Sequence, residues 1–211
     1  MTLTTHDATE ARRASSHQPE ENPWPGPIFA CATRTEQRTA RRLGARTALV
    51  GIGARGGLPE GRLVSFGLAG GLHDGLECGE VLDATRIVDP DGTVLWEGRP
   101  LGVAGARPGT ILAVDAIVDD PAERRRLHER TGADAADMES GALARSGRLA
   151  GCLRAISDTP ARTLGPLAQV LDSEGRLRPG GIARALAAPR RTGRALADVR
   201  RALRRLEGVS V

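Results

Sequence analysis

The feature that most constrains this chain is a regular alternation, from Ile28 onward, of short apolar runs with glycine-rich turns and a few helical stretches. The runs Ile28–Ala32, Thr47–Ile52, Leu63–Gly67, Glu80–Val88, Thr110–Ile117, Ala133–Met138 and Cys152–Ser157 read as strands. Several are apolar throughout, as central strands covered on both faces are. Helical patterns lie over Arg34–Leu43, Pro121–Thr131 and Ser140–Leu149, and Pro121 with Asp119, Asp120 and Glu123 suits a helix start. This order predicts an α/β fold: three layers, α/β/α, around a mixed, largely parallel central sheet. With 211 residues and 40% hydrophobic content the chain suffices for one sizeable core, and 27 Gly with 13 Pro argue against a helical bundle.

Charge divides the chain unevenly. All 30 basic residues are Arg, and the formal net charge is +4. Residues 176–211 hold ten Arg against Asp198 and Glu207, a net +8, so the preceding body carries −4. The charge that would attract nucleic acid is therefore confined to one end, and aromatic residues at 2% supply little stacking surface; no nucleic-acid partner is expected. Residues 1–26 are polar and read as a disordered extension without a secretory signal, residues 27–188 as one domain, and residues 189–211 as a short independent basic helix. On that helix Leu196, Val199, Leu203 and Leu206 share a face. It suits either a solvated surface helix or peripheral contact with an anionic membrane. No apolar run is long enough to span a membrane. Cys31, Cys78 and Cys152 read as buried thiols of a reducing compartment, here the cytoplasm, with peripheral residence at the inner membrane face as the extension of the helix reading. The cysteines and the scattered histidines fit no zinc spacing, so no metal is expected.

Four strand-end motifs stand out. Gly51-Ile-Gly-Ala-Arg-Gly56 follows an apolar strand as a dinucleotide fingerprint would, but Pro59 and Gly61 oppose the helix that such a site needs. A turn near a smaller anion or a sugar remains open. Val64–Leu72 runs a buried strand into Gly67, Gly70 and Gly71, where bare backbone can approach a ligand or simply turn. Asp137 and Glu139 flank Met138 at a strand-to-helix junction. They suit a vicinal diol with a thioether beneath a sugar ring, or merely compensate a helix dipole. Leu153–Pro160 ends an apolar strand in Ser157-Asp158, at the strand end where α/β sheets bind ligands.

Gly67-Leu-Ala-Gly-Gly71, Asp137-Met-Glu-Ser140 and Arg154-Ala-Ile-Ser-Asp158, in this order, resemble the signature segments of the nucleoside phosphorylase and nucleosidase superfamily. With Thr131-Gly-Ala and Arg154–Pro160 they are most similar to the hopanoid-associated phosphorylase branch. The resemblance spans about residues 28–188. It implies cleavage of the N-glycosidic bond of an adenosine-like nucleoside, by phosphorolysis with inorganic phosphate as co-substrate and no cofactor, on a 5′-substituted and even lipidic substrate. Hydrolysis, or ligand binding without turnover, are the alternatives. It implies Asp158 as acid toward the purine, Ser157 as its orienter, and Glu139 with Asp137 and Met138 at the ribose. Gly70 would lie near the base and Glu36 would activate the nucleophile. Arg34, Arg55 and Gly51 would surround phosphate. It also implies a homo-oligomer. Two departures stand out: residues 54–62 are too few for the helix usual there, and Leu68 occupies a position that often carries a hydroxyl.

Overall fold

A computed structural model describes residues 26–170 and 177–209. The N-terminal extension expected over residues 1–26 lies, Gly26 apart, outside the described residues. The elements run β1 (Ile28–Cys31), α1 (Arg34–Arg42), β2 (Thr47–Leu49), β3 (Leu63–Gly71), β4 (Val81–Val88), β5 (Val94–Glu97), β6 (Ala106–Ala113), α2 (Pro121–Thr131), β7 (Ala135–Asp137), α3 (Ser140–Arg145), β8 (Leu149–Asp158), α4 (Pro179–Ala187) and α5 (Pro189–Glu207). The sheet is ordered β2-β1-β3-β7-β6-β4-β5, and β8 pairs with both β3 and β4. The pairings β1–β2, β1–β3, β3–β8, β4–β6 and β6–β7 are parallel, while β3–β7, β4–β5 and β4–β8 are antiparallel. Strands β3, β8, β4, β6 and β7 thus close on themselves, and the expected mixed α/β sheet flanked by helices is what forms.

Strand periodicity sorts side chains to the two faces. Ala30, Leu63, Cys152 and Ile156 pack on one side with Leu143 and Ala144 of α3. Phe29, Cys31, Val64, Phe66, Leu153 and Ala155 pack on the other with Ala40 of α1 and Ala202 and Leu206 of α5. Successive residues of one strand enter opposite cores, as a period of two requires. All three cysteines are buried free thiols, and burial pushes those of Cys31 and Cys152 up to about 12.

Local chemistry sets the element ends. Thr33 caps α1 through a capping box with Glu36, and Asp120 caps α2 by accepting from Glu123 N–H at 2.7 Å. Helix α3 stops at Arg145 rather than running to Leu149, because Gly147 takes φ +69° and Leu149 already opens β8. Strand β5 is an element the hydropathy pattern does not reveal: a short edge strand folded back on β4 by a turn in which Asp89 Oδ1 accepts from Asp91 and Thr93 N–H. No helix forms between β2 and β3, only a 3-10 turn at Ile52–Ala54.

The independent C-terminal helix is a correction. α5 is a 19-residue helix beginning at Pro189, and its inner face is Ala195, Asp198, Ala202 and Leu206. The expected stripe is rotated: Leu196 is 38% exposed, and the apolar surface that would meet lipid is spent on the sheet. Among the described residues no helix is long and apolar enough to cross a membrane.

Candidate functional site

Separate segments converge on one cleft of about 180 Å³, lined by Thr33 and Glu36 of the β1–α1 junction, Leu68, Ala69 and Gly70 of β3, Asp137, Met138 and Glu139 of the β7–α3 junction, and Ser157 and Asp158 of β8. Apolar Leu72, Ile117, Val118 and Leu164 complete the wall. The residues expected at sugar and base are therefore brought together. Gly51, Arg34 and Arg55 are not: they do not line this cleft. Arg34 and Arg55 are exposed, and Arg55 instead faces a separate depression beyond Met138. Among the described residues Arg124 is the one cation lining the cleft, and it is bound to Asp158.

Each carboxylate is held differently. Glu36, 5% exposed, accepts from Thr33 N–H and hydroxyl through Oε2, both at 2.8 Å, and from Leu68 N–H through Oε1 at 2.9 Å. It is thus both helix cap and cleft wall. The residue at position 68 contributes through its backbone, which the absent hydroxyl does not disturb. Gly67 makes this approach feasible, since a Cβ there would meet Glu36 Oε1 at 2.3 Å.

Asp137 turns away from a ligand role. Its Oδ1 accepts from the Ser140 N–H at 3.0 Å and from the Ser140 hydroxyl, and its Oδ2 is paired with buried Arg154, whose Nη2 also donates to Ser65 Oγ at 2.6 Å. The simple alternation that would put Asp137 and Glu139 on one face breaks where Glu139 enters α3 with φ −106° and ψ −37°. Glu139 accepts from Gly53 N–H at 2.9 Å, and Arg154 lies 3.9 Å away. Burial, then the charge of Asp137, pushes Glu139 up to about 7, with Arg154 opposing.

Asp158 sits at the carboxyl end of β8. Ser157 Oγ donates its one proton to Oδ1, with the Ala69 carbonyl 3.2 Å from the same hydroxyl, while Arg124 Nη2 donates to Oδ2. Burial raises Asp158, and the charge of Arg124 and the Ser157 hydrogen bond pull the other way. Neither Arg124 nor the structural part of Arg154 follows from the motifs: Arg154 stands inside a quoted segment without an assigned partner, and Arg124 lies in a helix whose sequence shows only its cap. Among the described residues no group of three or more His, Cys, Asp or Glu is placed to hold a metal ion.

The arrangement brings three buried carboxyl groups, those of Glu36, Glu139 and Asp158, to one cleft, where fixed charges act at close range. The sequence model of the Phosphorylase superfamily matches residues 97–178. No curated protein matches the chain. Among solved structures, a 5′-methylthionadenosine/S-adenosylhomocysteine nucleosidase from S. pneumoniae with a transition-state inhibitor aligns at TM-score 0.53 and 15% identity, over 83% of this chain and 98% of that one. A variant of the Helicobacter pylori nucleosidase with 5′-methylthioadenosine in its active site aligns at 0.50 and 16%, over 87% and 99%. The futalosine hydrolase of Helicobacter pylori aligns at 0.50 and 16%, over 82% and 95%. At such identities the likeness is one of fold; with the family match it supports the nucleoside phosphorylase and nucleosidase superfamily.

Proposed function

We propose that this chain cleaves the N-glycosidic bond of a purine nucleoside, with water as the nucleophile. The observation that carries the reading is the meeting of Glu36, Glu139 and Asp158 in one cleft from three distant segments. Protonated Asp158 donates to a purine ring nitrogen, which turns the base into a better leaving group. The C1′–N bond breaks with its electron pair passing to the base. Glu139 accepts hydrogen bonds from the ribose hydroxyls, and its charge with that of Glu36 favours the cationic sugar of the transition state. Water adds to C1′ and gives its proton to Glu36. Solvent then accepts the proton from Glu36 and supplies the one that the next base needs. Met138 lines the floor beside Glu139, where a sugar would rest.

Hydrolysis is favoured over the phosphorolysis expected from the resemblance by charge. A phosphate dianion in this cleft would face Glu36 and Glu139 with no free guanidinium among the described residues that line it, since Arg124 is engaged and Arg34 and Arg55 lie elsewhere. The apolar wall of Leu72, Ile117, Val118 and Leu164 suits an uncharged 5′ substituent, for which alkylthio and longer lipidic groups are the natural candidates. The test is purine release from a series of 5′-substituted adenosines with and without phosphate. Release independent of phosphate, and reduced about 100-fold or more in Asp158→Asn, is the expected result. Absolute dependence on phosphate would restore the phosphorylase reading. Binding of adenosine derivatives without release would leave a nucleoside-binding homologue.

A further inference from the structure

The wall behind Asp158 is built around Arg124. This side chain of α2 is 1% exposed, and its guanidinium is divided among three acceptors: Nε donates to the Val118 carbonyl at 2.7 Å, Nη1 to the Gly71 carbonyl at 3.2 Å, and Nη2 to Asp158 Oδ2. Glycines make room for the pair. A Cβ on Gly70 would stand 3.3 Å from Asp158 Oδ2 and 3.4 Å from Arg124 Nη2.

The charged and titratable groups around Asp158 come from several elements. Asp119, in the loop before α2, lies 3.9 Å from Arg124 Nη2 and opposes a second negative charge beside it. The buried thiol of Cys78, before β4, feels the same carboxylate. Ser157 donates to Oδ1 from β8 itself. Arg124 is the cation in direct contact, and a guanidinium does not give up its charge. A carboxyl buried without such a partner keeps its proton, whereas one seated on a guanidinium keeps its charge. Burial raises the acid needed by the reaction, and its closest neighbour is the group that draws it back toward the charged form.

On the nucleosidase reading above, we propose that Arg124 is a positioning residue that keeps Asp158 ionised and aimed in the empty cleft, so that the proton destined for the leaving purine is taken up only when a base occupies the site. A purine nitrogen brought against the Asp158 carboxylate sets two acceptors face to face, and one proton from solvent resolves that repulsion by bridging them. When the C1′–N bond breaks, this proton stays on the purine and Asp158 returns to Arg124 as the anion. One proton enters with each base and leaves on it.

The state of Asp158 is read directly, without turnover, from the side-chain carboxyl resonance of protein labelled with 13C-aspartate, assigned with Asp158→Asn. In the free wild-type protein near neutral pH the resonance is that of a carboxylate; in Arg124→Gln it moves to that of a neutral carboxyl, and Arg124→Lys, which keeps the charge, stays with the wild type. Calorimetry of 9-methyladenine binding, a base whose substituted N9 leaves no imidazole N–H of its own, in two buffers of different ionisation heat gives the second readout: uptake of about one proton by wild type and about none by Arg124→Gln. The basic limb of purine release moves to higher pH in that variant, and beyond its new position the rate falls about tenfold per pH unit, as in wild type. A neutral Asp158 in the free wild type, or an ionised one in both proteins, overturns the proposal, as does base binding by wild type without proton uptake. Where Arg124→Gln does not fold, the wild-type resonance and proton count decide alone. If 9-methyladenine does not bind wild type, the nucleosidase reading falls, and the resonance still reports on Arg124.

Discussion

At the scale of single residues, Glu139 places function and stability in opposition. Its carboxyl, raised from 4.5 to about 7, holds a proton in the folded state that the unfolded chain has already released. Between these values the folded state binds more protons than the unfolded one, so stability falls as pH rises through that window. Above it the ionised, buried group costs about 3 kcal/mol relative to a neutral one. Glu139→Gln keeps an oxygen for the Gly53 N–H and discards the charge. Its expected outcome is a higher melting temperature at pH 8, by several degrees, with no gain at pH 4, and loss of purine release by about 100-fold. Equal gains at both pH values would show that burial of the charge is not what strains this position.

At the scale of elements, the cleft depends on β3 passing close beneath α1. Gly67 is where backbone and Glu36 meet. A methyl group there would stand 2.3 Å from Glu36 Oε1, 2.8 Å from its Cδ and 3.0 Å from Arg154 Nη1. Glu36 would have to leave the Leu68 N–H and its capping box, with Arg154 displaced from the other side. Gly67→Ala is therefore expected to cost about 2 kcal/mol or more in denaturant unfolding and to depress purine release. Gly180→Ala is the control: in α4, with nothing within 4 Å of its Cβ, it should be neutral or slightly stabilising. Similar losses in both would mean that the close approach at Gly67 is not the cause. The same elements show how far sequence reaches. Strand ends rich in Gly, and Asp or Glu at the junctions, are local signals, so Gly70, Met138, Glu139, Ser157 and Asp158 were legible as a set. Partners set by tertiary packing were not. Asp137 reads as a ribose ligand until Arg154 and Ser140 claim it, and Arg55 reads as a phosphate ligand until its turn points away from the cleft.

At the scale of the whole molecule, the basic tail is part of the core. Hydropathy drew attention to Leu196, Val199, Leu203 and Leu206. Yet the face that packs is made of small residues, Ala195 and Ala202, with Leu206 and an aspartate that would look misplaced on any apolar stripe. Asp198 is 2% exposed because Arg162, in the loop just beyond Asp158, grips it with contacts of 2.6 and 2.7 Å. Neither the small-residue packing nor the distant arginine has a signature in the helix's own sequence. The position of α5 changes what its removal should do. Cutting the chain after residue 188 would uncover Phe29, Cys31, Phe66 and Leu153 and free the loop that carries Arg162 away from the acid. The expected product binds a hydrophobic dye and has lost its cooperative thermal transition, because an apolar sheet face cannot stay folded in water. Charge and packing separate in a second variant. Arg200→Glu with Arg204→Glu alters exposed positions, and it should melt near wild type while losing any salt-sensitive affinity for anionic vesicles. A truncated chain that still melts cooperatively at the wild-type temperature would show that α5 is an appendage; a charge-reversed chain that unfolds would show that the arginines, and not the buried face, hold it in place.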